Sequence, residues 1–269
     1  MARPIVFATD FGASSEWVGV CHSVIASIAP ETRVIDLAHT LPRYDVADAG
    51  LVLREAMPCT PLCIAVLVVD PGVGTDRRSI VVQTGRGDLI VGPDNGLLPL
   101  AGEQIGGIAA ARALAAAALF LPAASATFHA RDIFCPAAAH LSVGFAFDAV
   151  GPQIDAGTLV RVSLPLLDVG PGRVICQATD IDTFGNIRLS ARPESLAEAG
   201  LGEESVLWVL GPGGEIAAHR VPTFGAIENG RTGIIVDSFG WLCLCVNRGN
   251  AAQRLEVERG SRIELRATT

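Results

Sequence analysis

Residues 63–69 read CIAVLVV, an unbroken apolar run that stops at Asp70-Pro71-Gly72. A strand with one wet face alternates apolar and polar residues, so a run without alternation must be covered on both faces. Ile5–Thr9 (IVFAT), closed by Asp10 and Gly12, and Val34–Leu37 are shorter runs of the same kind. Between them Trp17, Cys21, Val24, Ile25 and Ile28 recur at helical spacing before Pro30. Val46–Met57 also reads as a helix, with Asp45 as its N-cap and Pro58 as its stop. Strand, helix, strand, helix, strand implies a parallel sheet with helices on both faces. Ser79–Gln83 and Asp88–Val91 extend it as a hairpin pair, and Ala137–Leu141 falls in a further helix. The expectation is an α/β N-terminal domain, residues 1–163, with a largely parallel central sheet.

The pattern then changes. Leu164–Arg173 (LPLLDVGPGR) holds two Pro and two Gly, and reads as a linker over 164–172. Beyond it come short alternating runs: Val174–Asp180, Val206–Leu210, Gly233–Val236, Trp241–Val246 and Arg262–Arg266. Turn residues separate them, and Gly211-Pro212-Gly213-Gly214 is a hairpin turn. This predicts a small all-β, barrel-like C-terminal domain over 173–269. A chain of 269 residues, half of them hydrophobic, can bury two cores.

Composition removes several classes of function. The formal net charge is −8 and no Lys/Arg run exists, which disfavours nucleic-acid binding. The Ala-rich stretch 106–125 contains Arg112 and Pro122 and is too weakly apolar to span a membrane, so no membrane partner is expected. The cysteine count, seven, is odd, most lie in apolar runs, and no signal-peptide pattern opens the sequence. Reduced core thiols in a cytoplasmic protein are the expectation. Cys59 and Cys63 have no second Cys/His pair nearby, so no metal site is expected there. There is no GxGxxG after the first strand and no GxSxG elbow, which argues against a dinucleotide site and an α/β-hydrolase site.

Polar clusters at strand ends are where open α/β sheets place ligands. Asp10, after Thr9, can accept from a ribose diol; it is equally suited to a turn or a helix cap. Asp70 ends the most apolar strand, and Arg77 follows beyond a Gly-rich loop, either as a functional pair or as a structural one. His129 lies between Phe128 and the Arg131-Asp132 pair, and can pack or can position water. In the second half, Asp182-Thr183-Phe184-Gly185-Asn186 and Asp237-Ser238-Phe239-Gly240-Trp241 each combine an aromatic residue, a Gly and hydrogen-bonding groups. They can hold a base and polar ligand ends, or can be β-turns.

In order along the chain stand TDFG, Asp36-Leu37-Ala38-His39, VVDPGVGT, GPDNG, TFHARDIFCPAAAHL, DTFGN, VDSFGWL and Asn250-Ala251-Ala252. The ordered set resembles the S-adenosyl-L-methionine (SAM) hydrolases, also called SAM hydroxide adenosyltransferases, relatives of the fluorinase and the chlorinase. That resemblance implies a homotrimer, with SAM held between one subunit's first domain and its neighbour's second. It implies that Asp10 holds the ribose hydroxyls and that Phe184 and the Asn250-Ala251 backbone contact adenine. Asp182, Asn186 and Ser238 then bind elsewhere on the ligand, the amino-acid end included, and Tyr44 falls near an aromatic wall. The hydrolases' Asp–Arg–His set is matched by Asp70, Arg77 and His129. The halogenases carry Tyr at the position of Asp70, and a carboxylate there repels halide, so water is the expected nucleophile. SAM is then the substrate, with no cofactor and no metal. Two departures are Ala130, where many hydrolases have Gly, and Phe239, where the fluorinase has Arg. The alternatives are a halide-using adenosyltransferase and a SAM- or adenosine-binding protein with little turnover.

Overall fold

The computed structural model describes residues 2–268, and the chain divides into two compact units, Met1–Ser163 and Leu164–Thr269. The first unit is built on a seven-stranded mixed sheet. Its elements in chain order are β1 (Ile5–Thr9), α1 (Glu16–Ile28), β2 (Val34–Ala38), α2 (Val46–Ala56), β3 (Ile64–Val68), β4 (Ser79–Thr84), β5 (Leu89–Pro93), α3 (Leu97–Gly102), β6 (Ile108–Ala113), α4 (Cys135–Ser142) and β7 (Gln153–Ile154). The strand order is β2-β1-β3-β5-β4-β6-β7. β2, β1, β3 and β5 run parallel, while β4 pairs antiparallel with both β5 and β6, and β6 with β7.

Strand alternation distributes the side chains between two cores. Ile5, Phe7, Ile64, Val66 and Val68 face one side, packed with Cys21 and Ile25 of α1 and Ala137 and Ala138 of α4. Val6, Ala8, Ala65, Leu67 and Val69 face the other, packed with Ala49 and Leu53 of α2 and Leu97 and Leu98 of α3. Double coverage explains why these strands read as continuous apolar runs. Asp45 caps α2 as expected, accepting from the Asp48 amide, and Ser15 caps α1.

The second unit contains β8 (Leu167–Gly170), β9 (Arg173–Ile181), β10 (Ile187–Leu189), α5 (Pro193–Glu198), β11 (Val206–Gly211), β12 (Gly214–Arg220), β13 (Thr232–Val236), β14 (Leu242–Val246), α6 (Ala251–Leu255) and β15 (Arg262–Ala267). The order β10-β14-β13-β12-β11-β15-β9 closes through a β9–β10 pairing into a seven-stranded barrel. β9 accomplishes this by changing partners along its length: residues 173–177 pair with β15, and Ala178–Ile181 with β10. The barrel interior is filled by Val174, Cys176, Leu207, Val209, Leu244, Ile263 and Leu265. Pro212 and Gly213 turn the β11–β12 hairpin, with Gly211 paired to Gly214.

One boundary differs from expectation. The segment 164–172 is not a plain connector, because Leu167–Gly170 pairs antiparallel with β9 as an added strand. Pro165 precedes that strand, Gly170 ends it and Pro171-Gly172 form its turn, so their local chemistry is that of a hairpin. Six cysteines are buried and Cys59 is exposed, all with free thiols. Burial pushes the Cys176 thiol up to about 12. Burial, with the Asp88 carboxylate beside it, does the same to Cys63. Among the described residues no helix is long and apolar enough to cross a membrane.

Candidate active site

β3 ends at Val68, and the chain leaves the sheet at Asp70. The exit is fixed from beneath: Asn95, in the GPDNG segment, donates from Nδ2 to the Val69 carbonyl at 2.8 Å. Its neighbour Asp94 is buried and accepts from Arg78 Nε at 2.7 Å and from the Val160 amide at 3.0 Å. That motif therefore braces the base of Asp70. The following loop folds on itself, with the Val73 amide on the Asp70 carbonyl and the Thr75 hydroxyl on the Gly72 carbonyl at 2.7 Å. At Gly74, φ is +78°, and a Cβ would sit 2.4 Å from the Ala126 carbonyl oxygen. Only glycine allows this loop to lie against the segment that leads to His129.

The loop returns Arg77 to Asp70. Arg77 donates from Nε to Asp70 Oδ1 at 2.9 Å and from Nη2 to Asp70 Oδ2 at 2.5 Å. Nη2 also donates to His129 Nδ1 at 2.7 Å, and Nη1 to the Ser79 hydroxyl at 2.9 Å. The Arg77 guanidinium lies over the Phe134 ring, 5.3 Å from its centroid. The Asp70 and Arg77 side chains are only 6% and 9% exposed, so the pair is held largely out of water. Asp70, Arg77 and His129, expected to act together, form one connected network.

The network assigns the histidine tautomer. A guanidinium only donates, so Nδ1 of His129 accepts and the proton of the neutral ring resides on Nε2. Burial lowers the His129 pKa below the ordinary value, and the Arg77 cation lowers it further. The carboxylates of Asp70 and Asp132 pull the other way without prevailing. Arg131 and Asp132, next to His129 in sequence, are mutually paired: Arg131 Nε meets Asp132 Oδ1 at 2.6 Å, and Asp132 also accepts from the Ser125 amide. The partner of His129 is thus the distant Arg77. His129 precedes a π-helical turn, Ala130–Phe134, that runs into α4; such turns recur at functional sites.

Asp70 and His129, with Arg77 bonded to both, line a cleft of about 630 Å³ whose walls also include Asp10, Tyr44, Phe128 and Trp17; Arg77 itself is not among the lining residues. Phe11, Trp17 and Phe128 form a three-ring cluster with centroids 5.6–5.9 Å apart. Tyr44 has φ +61° and its amide donates to Asp10 Oδ2 at 3.2 Å. It stands 76% exposed, at the rim. Asp10 therefore fixes a strained turn and faces the cleft as well.

The second unit places its candidates differently. Asp182 and Asp237 build two matching loops. Asp182 Oδ1 accepts from the amides of Phe184 and Asn186, and Asp237 Oδ1 from those of Phe239 and Trp241, all at 2.9–3.0 Å. Gly185 and Gly240 both have φ +82°. The turn geometry weighed for both segments is what they adopt, and it presents Asn186 and Ser238 in a cleft of about 380 Å³. Phe184 projects from its loop, 75% exposed. Asn250 caps α6, its Oδ1 accepting from the Gln253 amide at 2.7 Å, and the next residue, Ala251, is fully buried, so the adenine contact that the resemblance implies for Ala251 has no exposed surface here. Sequence reasoning overlooked Arg188. It lines the same cleft, donates to Asp237 Oδ2 at 2.6 Å and lies under the Phe239 ring at 5.1 Å. Its only sequence signal was a cation inside the strand that follows DTFGN.

The model of the SAM hydroxide adenosyltransferase N-terminal domain matches residues 5–151, and that of the C-terminal domain matches residues 176–264. The chain belongs to the SAM hydroxide adenosyltransferase family. It is 40% identical over 263 residues to an (R)-S-adenosyl-L-methionine hydrolase of Salinispora tropica, covering 98% of this chain and 97% of that protein. A fluorinase of Actinopolyspora mzabensis is more distant, 25% identical over 98% of this chain and 97% of its own length. A crystal structure of an uncharacterized conserved protein from Thermotoga maritima superposes with a TM-score of 0.89 at 34% identity, covering 97% of this chain and 99% of that one.

Proposed function

We propose that this member of the family hydrolyses SAM at ribose C5′ to adenosine and L-methionine. The observation that carries the reading is the Asp70–Arg77–His129 network, which puts Asp70 and His129 on the wall of one cleft with Asp10. The hydrolase name of the 40%-identical relative supports it.

An oxygen nucleophile forms the C5′–O bond, the C5′–S pair returns to sulfur, and methionine leaves as a neutral thioether while a proton passes to solvent. The sulfonium is already an activated leaving group, so the chain must mainly position and desolvate the oxygen. With its proton on Nε2, His129 donates to that oxygen and does not act as its base. Asp70 is already engaged by Arg77, and serves to hold the cation in place. The His129 donor, beside an Asp70 charge that Arg77 offsets, favours an oxygen that carries negative charge, and with no free base at hand hydroxide fits this site better than general-base catalysis. Asp10 takes the ribose diol, and the Phe11–Trp17–Phe128 rings with Tyr44 offer π faces to the sulfonium. The reaction as written uses no metal and no cofactor.

The remaining contacts come from second-unit loops: Phe184 and the Asn250 backbone for adenine, the fully buried Ala251 behind it offering no surface to a ligand, and Asp182, Asn186 and Ser238 for other polar groups. Arg188 supplies the cation for the methionine carboxylate that Phe239 does not. We assign these loops to a neighbouring subunit in a homotrimer. A substrate used inside cells, and a chain with free thiols, fit a cytoplasmic enzyme.

Incubation of the pure protein with SAM in ¹⁸O-water tests the reading. Adenosine labelled in the 5′-hydroxyl is expected. Recovery of intact, bound SAM would favour a binding protein, and 5′-chloroadenosine in chloride buffer would favour a halide-using enzyme.

A further inference from the structure

Apart from that cleft, His22, Asp36 and His39 each bring a ligand atom within 4.8 Å of the other two. They come from three places: α1, β2 and the residue just after β2. Both imidazole Nε2 atoms converge on one carboxylate oxygen, Asp36 Oδ1, at 2.8 Å from His22 and 2.9 Å from His39. The buried Phe7 ring supports both, with centroids 4.8 Å from His39 and 6.0 Å from His22. Burial alone would raise the Asp36 carboxyl, but hydrogen bonds from His39 and His22 outweigh it and hold the group below its usual range.

A second layer supports the cluster. His39 Nδ1 lies 2.9 Å from the hydroxyl of Thr9, which also accepts from the Phe11 amide at 3.2 Å. A hydroxyl both donates and accepts, so His39 keeps this partner whichever ring nitrogen bears the proton. That is the condition for freeing Nε2 as a ligand, and a hydrogen bond to the far nitrogen is what orients metal-binding histidines. The site opens on one side only: His39 is 8% exposed, against 34% for His22 and 44% for Asp36.

We propose that His22, Asp36 and His39 form a binding site for a divalent transition-metal ion of the zinc class. Two imidazole nitrogens and one carboxylate oxygen are a donor set for such ions, whereas magnesium and calcium take oxygen donors. Bonds of about 2.0–2.1 Å at a tetrahedral centre separate donor atoms by roughly 3.3 Å, so the two nitrogen–oxygen spacings need an opening of about 0.5 Å, while the two nitrogens already lie within 4.8 Å of each other. Water completes the shell on the exposed side. The site has no part in the hydrolysis proposed above and does not depend on it.

The test is zinc binding by calorimetry and equilibrium dialysis, on metal-stripped protein carrying Cys59→Ser so that the exposed thiol cannot contribute. One zinc per chain is expected. His22→Gln and Asp36→Asn should each weaken it at least about tenfold. His22 is half-buried on α1 and is not among the cleft's lining residues, so His22→Gln should leave SAM turnover unchanged, which confirms the fold. Cobalt(II) should show a visible spectrum without thiolate charge-transfer bands. Absence of stoichiometric zinc binding, or binding that survives either substitution, overturns the proposal.

Discussion

A single guanidinium joins the three residues on which the proposed chemistry rests, since Arg77 donates to Asp70 and to His129 from the same nitrogen. Asp70→Ala leaves that cation without its anchor, and His129→Ala removes the donor that faces the nucleophile. Each should reduce turnover more than affinity, by roughly 10²–10³, and the double variant should be little worse than the worse single one. Steady-state kinetics paired with calorimetry check this; wild-type kcat in both single variants would show that the oxygen is positioned elsewhere. Acidity gives a second test. The folded His129 pKa is depressed below 6.5 by burial and by Arg77, against the pull of Asp70 and Asp132. Below that depressed value Nδ1 is protonated and cannot accept from Arg77. The acid limb of the kcat/KM profile should therefore lie below the ordinary histidine range. Linkage has the same sign: the unfolded chain takes up the proton first, so this contribution to stability is present above about 6.5 and is lost as pH falls towards the folded pKa. An acid limb at or above 6.5, or one unchanged in His129→Gln, would exclude His129 as its source.

Among the elements, the 70–77 loop is pinned at Gly74, which combines φ +78° with a backbone contact that a Cβ would violate. Gly74→Ala should cost more than about 1 kcal/mol in a denaturant melt and should reduce turnover, since the loop must withdraw from the His129 segment. An unaltered melt and rate would mean that the loop is not held there. Elements of this kind show what a sequence reveals. Ile5–Thr9 and Cys63–Val69 were legible as buried strands, and Glu16–Ile28 as a helix, because burial on two faces or one stripe leaves a periodic mark. Leu167–Gly170 was not, because its strand character comes from pairing with β9, while its Pro and Gly neighbours read as a connector. β6 was obscured by alanine, which records no face. The site divides in the same way. Asp70, Arg77 and His129 stood out in ordered motifs, but the bracing of Val69 by Asn95 and the place of Arg188 beside Asp237 are distances between segments, with no local pattern to announce them.

On the scale of the whole molecule, each unit holds its own cleft, one with the Asp70 network and one with Asn186, Ser238 and Arg188. The proposed trimer makes a site from one copy's first unit and another copy's second. Light scattering should then give about three times the 27.9 kDa chain mass. Mass alone does not say which copy serves which, but mixed subunits do. A chain disabled in the first unit, Asp70→Ala, and a chain disabled in the second, Asn186→Ala with Arg188→Glu, should each be nearly inactive alone. Co-expressed in equal amounts, they assemble at random. A site works only when an intact first unit meets an intact second unit from the other kind of chain, which happens at about one quarter of positions. Activity should therefore recover to about a quarter of the wild-type value. If each chain used its own two units, every site in the mixture would carry one damaged half. Recovery would then stay at the sum of the two inactive parents, and the intersubunit assignment would be wrong.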